Sequence, residues 1–437
     1  MGQRIASLPK VNHLWQKIWF TLGFLALYRI GVHVPVPGVD TLRLSEFFSQ
    51  QGGNLFGMFN TFSGGALERF SVFALGVMPY ISASIIAQLL TVTVPQLEAL
   101  QKEGESGRKV INQYTRYGTV VLALIQGYAI AQTLESAQFQ GGALVLEGGF
   151  WWKMLTMLSL ASGTAFVMWL GERITEKGVG NGMSLIIFAG IVSGLPGIVS
   201  STYEQFASNQ LELYRILILI AMALIVIAGV VFMEQGARQV PVQYAKRQVG
   251  NKVYGGQATH LPMRVNASGV IPPIFASSLL QFPTMIGGLY KGDGWGQEIL
   301  AIFGQGWFHD VLFVVLIVFF AFFYTSIVFK SDDIAENLKK NGGFIPGIRP
   351  GARTAEYLNK VLYRLTLAGS IYLALICVLP TILTSQFNVQ FYFGGTSLLI
   401  VVGVALETFR QIDAHMQSLR YETFLKAGSI RPRGRRA

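Results

Sequence analysis

The chain is a succession of long apolar runs interrupted by short polar ones. A helix needs about 20 predominantly apolar residues to cross roughly 30 Å of hydrocarbon, and runs of that kind recur from end to end. Ten candidate spans lie near 15–34, 71–94, 117–134, 154–170, 183–203, 216–233, 267–290, 311–329, 365–385 and 387–406. They predict an all-α membrane protein with no soluble domain left over. One apolar stretch does not fit the series. The segment "NLFGMFNTFSGGALERF", residues 54–70, is too short to span, carries a Gly-Gly pair, ends in Glu68-Arg69 and runs directly into the second span.

Composition agrees with a bilayer environment: of 437 residues, 51% are hydrophobic and 13% charged, about half the charged share of an ordinary globular protein. The N-terminal "MGQRIASLPKVNHLWQK" is basic but offers no small-residue cleavage site before the first span, which predicts a retained span. Cys377 is the single cysteine and falls inside the ninth span, where a thiol behaves as a small hydrophobe. With both termini in the cytoplasm, 28 of the 34 Lys and Arg fall on the cytoplasmic side, so the positive-inside rule fixes that orientation. The net charge of +11 is mostly this bias, and it also favours anionic membrane lipids.

The second and seventh spans look alike. "PYISASIIAQL" from Pro79 and "PPIFASSLLQF" from Pro272 share Pro79/Pro272, Ile81/Ile274, Ala83/Ala276, Ser84/Ser277 and Gln88/Gln281. Each span is the second of a five-span half, 1–205 or 206–437. Five is odd, so the halves run in opposite senses about a pseudo-twofold in the membrane plane, with a central pathway between them. Ile81 and Ile274 then meet near the midplane as a waist. Nine spans contain no Asp, Glu, Lys, Arg or His; the first carries Arg29 and His33 toward its outer end. A pump or an ion-selective pore needs such residues at depth, so both are disfavoured. No phosphate-binding loop, HExxH pair or metal-binding cluster is present, which predicts a non-enzyme without cofactors whose energy comes from a partner.

Two cytoplasmic loops, 234–266 and 330–364, hold more than orientation requires. In the first, "QVPVQYAKRQ" and "KVYGGQATHLPM" alternate apolar with polar residues around Gly250-Asn251, as a basic hairpin would. A loop that only orients the protein would serve as well, and residue types alone do not choose. In the second, "GGFIPGIRPG" stiffens a turn around Arg349 with Pro346 and Pro350, the geometry of a docking finger. Gly178, Gly180 and Gly182 read as a tight turn into the fifth span, because no strand precedes them. Ile187 and Ile191, like Ile81 and Ile85, share a helix face, which ordinarily means packing or lipid contact.

Several blocks, in order, resemble the SecY family, the large subunits of the bacterial Sec protein translocon: "ALGVMPYISASIIAQLLTVTVPQLE", "GNGMSLIIFAGIVSGLP", "YAKRQ", "NLKKNGGFIPGIRPG" and "FYFGGTSLLIVV". The resemblance covers essentially the whole chain. It implies a central hourglass pore closed at its waist by Ile81, Ile85, Ile187, Ile191, Ile274 and Ile400. It also implies that 54–70 is a plug folded back into the outer funnel, with Gly57, Asn60, Thr61, Phe62, Ser63, Gly64 and Gly65 at its centre. Apolar branched side chains would pass any polypeptide yet leave a dewetted constriction behind it. Spans two and seven would form a lateral gate lined by Ser84, Gln88, Ser277, Gln281 and Phe282, through which signal sequences and hydrophobic segments reach lipid. Lys246, Arg247, Lys252 and Arg349 would dock the SecA motor or the ribosome in turn, and SecE and SecG would be companion subunits. Many bacterial relatives have a basic pair where this chain has Asn251-Lys252, which weakens the expected ribosomal contact. The implied activity is passage of unfolded preproteins across, or sideways into, the bacterial plasma membrane. The competing class is a carrier of a small neutral solute, which tolerates inverted repeats but needs a polar midplane site and has no use for docking loops.

Overall fold

The structure, a computed structural model, describes residues 9–427 apart from 51–59, 61–62, 137, 140–141, 147, 209–211, 245–246, 250–251, 255–257, 290–301, 304–305 and 388–394. The chain divides into two compact units, residues 1–199 with 404–437, and residues 200–403. The first unit holds α1 (Pro9–Gly31), α2 (Thr41–Gln50), α3 (Met78–Thr93), α4 (Pro95–Lys102) and α5 (Glu105–Ser136). A two-residue ribbon, β1 (Gln138–Phe139) and β2 (Gly142–Ala143), leads to α6 (Phe150–Lys177) and α7 (Gly182–Ala207), whose last residues lie past the boundary between the units. The second unit holds α8 (Leu213–Gln235), strands β3 (Ala237–Tyr244), β4 (Arg247–Val249), β5 (Lys252–Tyr254) and β6 (Ala258–Arg264), and then α9 (Ile271–Leu289). After these come α10 (Trp307–Val328), α11 (Ser331–Lys340), β7 (Gly343–Phe344) and α12 (Ala352–Phe387). Helix α13 (Gly395–Ala427) begins in the second unit and ends in the first.

Among the described residues seven helices are long and apolar enough to cross a bilayer, and eight if the bent pair α3/α4 is one span. Helices α1 and α9 stand where the first and seventh spans were expected. The chain is a multi-pass, predominantly helical membrane protein.

Three elements depart from the expectation, each for a local reason. The second span was expected from residue 71, but its helix starts at Met78, and residues 72–77 are turns with Gly76 at φ +54°. Pro79 is the second helical residue, where a missing N–H leaves nothing unpaired. At the other end Pro95 holds Val94 extended (φ −102°, ψ 115°), and the chain turns by 98° into α4. The amphipathic α2 has no counterpart in the hydropathy reading; Asp40 opens it by accepting from the Arg43 amide at 3.3 Å. Helix α13 runs on to Ala427, well past the tenth span's expected end at 406, because 407–427 contains neither proline nor glycine to stop it. The first residues of that expected span, 388–394, lie outside the described residues.

Within each unit the helices pack in the same order. Helix α3 packs on α5 and α5 on α6, while α9 packs on α10 and α10 on α12. The repeat read from the sequence reaches the accessibility pattern: residues 81–86 and 274–279 both run half-buried, buried, buried, half-buried, buried, exposed.

Close backbone approach holds the first unit together. A Cβ at Gly163 of α6 would lie 1.9 Å from the Val72 carbonyl oxygen. Gly163→Val should thus push α6 off the 71–77 turn and destabilise the fold by about 1–3 kcal/mol. A thermal midpoint of the purified protein equal to that of the unsubstituted chain would contradict this packing.

Candidate functional site

The described part of the expected plug, Asn60 and Ser63–Phe70, is a knot of local hydrogen bonds. Only Asn60 and Ser63 have helical geometry, so among the described residues the segment is mostly turn rather than helix. The Asn60 carbonyl accepts from the Gly65 amide (2.8 Å) and the Ser63 hydroxyl (3.1 Å). Its side-chain amide donates to Glu68 Oε2, and its Oδ1 accepts from the Glu68 amide, both at 3.0 Å. Asparagine suits this place because one side chain both donates and accepts. Gly64 (φ +68°) and Gly65 (φ +81°) supply the left-handed backbone that closes the knot.

Two helices hold the knot from outside. From α1, the Tyr28 hydroxyl donates to the Ser63 carbonyl at 3.1 Å and the Arg29 guanidinium to the Gly64 carbonyl at 2.6 Å. On the other side Gly64 lies against α7: a Cβ there would sit 2.8 Å from Gly190 Cα and 3.1 Å from Ser193 Oγ. Gly190 lies about one helical turn from Ile187 and next to Ile191 in sequence, and both isoleucines are buried. The returning segment thus rests beside two of the expected pore residues. Tyr28, Arg29, Gly190 and Ser193 were not singled out from the sequence for this contact. Arg29 carried the available signal, as a cation within an apolar span with no acid nearby in sequence. Of the other expected plug residues, Gly57, Thr61 and Phe62 lie outside the described residues.

The remaining expected ring residues fall in both units. Ile81 and Ile85 sit on α3, half-buried and buried; Ile274 on α9 is half-buried, and Ile400 on α13 is buried. For the gate, the Ser84 hydroxyl accepts from Gln88 Nε2 at 3.4 Å, and the Ser277 hydroxyl donates to the Ile274 carbonyl at 2.9 Å. Gln281 and Phe282 belong to α9, with side chains outside the described residues.

The hairpin exists. Strands β3 and β6 pair antiparallel from Ala237↔Arg264 to Gln243↔Ala258, and β4 pairs with β5, with Val249 opposite Lys252 and Arg247 opposite Tyr254. Lys246 lies outside the described residues. Strand β7 adds to β3, and Ile345 and Ile348 pack with Val240, Met263, Leu358 and Leu362. Arg349 is exposed at the tip, between Gly347 (φ +81°) and Gly351 (φ +106°), and its carbonyl accepts from the Thr354 hydroxyl at 3.1 Å. A buried foot and a bonded neck brace the backbone from which the exposed Arg349 side chain projects. The glycine-rich turn at 178–182 is a packing turn: Gly180 has φ +88°, and Asn181 Oδ1 caps α7 by accepting from the Met183 amide at 3.1 Å.

The SecY family model matches residues 71–409. The chain belongs to the SecY family. It is 48% identical over 428 residues to the protein translocase subunit SecY of Pseudomonas aeruginosa, covering 97% of this chain and 96% of that one. To the same subunit of Escherichia coli K12 it is 48% identical over 430 residues, 97% of each. Among solved structures it resembles one described as a protein-conducting channel, with a TM-score of 0.65 at 16% identity over 95% of this chain and 94% of that one. It also resembles a SecY structure in which the plug domain is described as stabilising the closed state of the translocation channel and maintaining a membrane seal. There the TM-score is 0.66 at 17% identity, again over 95% and 94%. The remote structures establish the fold alone; membership rests on the close relatives and the family model.

In this SecY-family chain the Arg29 contact is the charge-assisted one of the two that reach the knot from α1, and such a bond contributes roughly 1.5–3 kcal/mol. Arg29→Leu should speed amide exchange of residues 63–68 by about tenfold or more in the intact protein. Exchange unchanged from the parent would show that α1 does not hold this segment.

Proposed function

We infer that this chain is the central, pore-forming subunit of a protein-conducting channel that passes unfolded secretory proteins across the membrane and releases hydrophobic segments sideways into it. The observation that carries the inference is the relation, over nearly its full length, to translocase subunits. The geometry of the first unit suits the role. A path for arbitrary polypeptide cannot bind its cargo, and it must stay closed to ions when empty. Buried Ile187 and Ile191, with the Gly64 turn laid against Gly190, offer passing polypeptide no charge to bind and leave little space when it is gone.

We further propose that the six isoleucines form a collar about the path between the halves 1–205 and 206–437, and that the 54–70 segment is its plug. The matched positions of α3 and α9, Ser84 and Gln88 with Ser277, Gln281 and Phe282, line a lateral gate. A nascent segment of about 20 apolar residues leaves through it because hydrocarbon accommodates it better than a wet funnel does. The chain supplies the path, and the free energy of transport comes from a motor or from synthesis. In this reading its site is the bacterial plasma membrane, with both termini in the cytoplasm, in company with SecE and SecG.

The cytoplasmic loops are the proposed docking surface for SecA and the ribosome. One relative in fold, Sec61 in a canine ribosome–channel complex, has a TM-score of 0.61 at 16% identity over 95% of this chain and 94% of that one. Arg349 supports this reading by its exposure on a braced tip. A ribosome would be met through RNA phosphates rather than base edges.

Vesicles holding the chain with its companion subunits, supplied with motor and ATP, should protect an added preprotein from external protease. Arg349→Glu should leave assembly intact and lower that protection by about tenfold or more, the size expected on reversing a central interface charge. Full protection by the variant would refute the docking role, and no protection by the parent would refute the channel.

A further inference from the structure

Helices α10, α11 and α12 line a cavity of about 410 Å³ that the proposed function leaves unused. It belongs wholly to the second unit and lies where two neighbouring spans leave the hydrocarbon: the charge-free run of α10 ends at Phe329, and that of α12 begins at Leu365. Its volume is that of a small-molecule site. Phe322, Phe329, Leu362 and Tyr363 form the apolar part of the lining, with the Phe322 and Tyr363 rings 5.0 Å apart.

Much of the polar lining has no partner within the protein. Thr325 of α10 is 3% exposed and Thr366 of α12 is 4% exposed, and neither hydroxyl makes a hydrogen bond. Helix threonines elsewhere, Thr119 and Thr408 among them, donate to the carbonyl four residues back. A buried hydroxyl left unpaired costs about as much as a hydrogen bond contributes, so two of them in one lining call for a ligand that pairs them. In the same lining the Ser331 hydroxyl donates to Asn359 Oδ1 at 2.6 Å.

The charged lining selects the ligand's chemistry. Helix α11 starts at the cavity. Lys330 stands at its N-cap without a side-chain cap bond, and the first helical bond runs from the Ile334 amide to the Lys330 carbonyl, which leaves the amides of Ser331, Asp332 and Asp333 unpaired. Three such amides beside the Lys330 ammonium favour a phosphate. Asp332 and Asp333, in the same turn, are exposed and form no ion pair among the described residues. A simple anion would meet those two carboxylates, and a simple cation would meet Lys330 and the positive end of the helix. A ligand with a phosphate and an ammonium a few bonds apart satisfies both.

We propose that this cavity binds the phosphoethanolamine headgroup of a membrane phospholipid. The α11 amides and Lys330 hold the phosphate, Asp332 and Asp333 take the ammonium, and the Thr325 and Thr366 hydroxyls donate to the ester oxygens. The occupant is a lipid rather than soluble phosphoethanolamine because four apolar or aromatic side chains share the cavity with the charges, where α10 and α12 enter the bilayer. A choline headgroup has the same charges but no N–H to give the carboxylates, and a glycerol headgroup has no cation. The site does not depend on the channel reading; it needs only that α10 and α12 cross a membrane.

The experiment is photolabelling of the assembled complex in phosphatidylcholine vesicles by phosphatidylethanolamine or phosphatidylglycerol carrying the same photoreactive acyl chain, read at residues 322–329 and 362–366. In the parent, phosphatidylethanolamine should label these residues about tenfold more than phosphatidylglycerol, the ratio set by one charge-assisted bond. General attraction to a chain of net charge +11 predicts the opposite order, so the two are separable. Asp332→Asn with Asp333→Asn should bring the two lipids within about twofold of each other, and Lys330→Gln should lower phosphatidylethanolamine labelling by about tenfold. Thr366→Val should lower that labelling severalfold without lowering the thermal midpoint of the complex, because the hydroxyl it removes has no partner within the protein. A merely structural threonine would move the midpoint and leave the label. Equal labelling in the parent, or a preference for phosphatidylglycerol, overturns the proposal; so does an ethanolamine preference that survives the double substitution. Loss of the label on adding an equal concentration of soluble phosphoethanolamine would overturn the lipid as occupant. If Lys330→Gln does not assemble, the double substitution decides alone, since both carboxylates are exposed.

Discussion

Everything in this chain follows from an interior that carries almost no fixed charge. Ion-selective and ion-coupled proteins close their pathways with charged rings or buried acids, which hold ions as well as exclude them. A path without such groups has to be closed by packing alone. In the function proposed for this chain, that packing is the contact of Gly64 with Gly190. Two residues without side chains let a turn come within van der Waals distance of a helix backbone, directly beside Ile187 and Ile191. Any larger residue at 64 would meet both a steric wall and a left-handed backbone at φ +68°. The segment is held by bonds to carbonyls, from Tyr28 and Arg29, which can be broken without breaking the helices that offer them.

The same economy governs the cytoplasmic side. A hairpin, a two-residue strand and the first turns of α12 share one apolar cluster, and the turn beside it carries the exposed Arg349. Where that body meets the membrane helices, Asn266 Nδ2 donates to the buried Glu234 carboxylate at 2.6 Å.

Much of this was legible in the sequence, and the exceptions share a cause. Long charge-free runs located the helices, because hydropathy is a local property. Alternation around Gly250-Asn251 located the hairpin, and the structure pairs Val249 with Lys252 across it. The Pro79/Pro272 match located a repeat that the structure carries into an identical burial pattern at 81–86 and 274–279. The start of the second span was misplaced by seven residues because 71–77 is as apolar as a helix while its backbone is turn. Helix α2 was missed because ten residues with an amphipathic face leave no mark in a search for spans. What holds the 60–70 knot was not legible. Tyr28 lies 35 positions from Ser63, and nothing local in either sequence announces a bond between them. The glycine on which the knot rests, Gly190, reads in sequence as one more small residue in an apolar helix. The isoleucines were named through family resemblance, since residue type and spacing gave them no distinction from packing residues.

The central claim, that packing alone seals an uncharged path, is tested most directly by the resting ion conductance of bilayers containing the assembled complex from which residues 57–66 have been removed. The account predicts frequent openings in the shortened protein where the intact one is silent. A shortened complex as silent as the intact one would show that this segment does not close the path, and the account would fail with it.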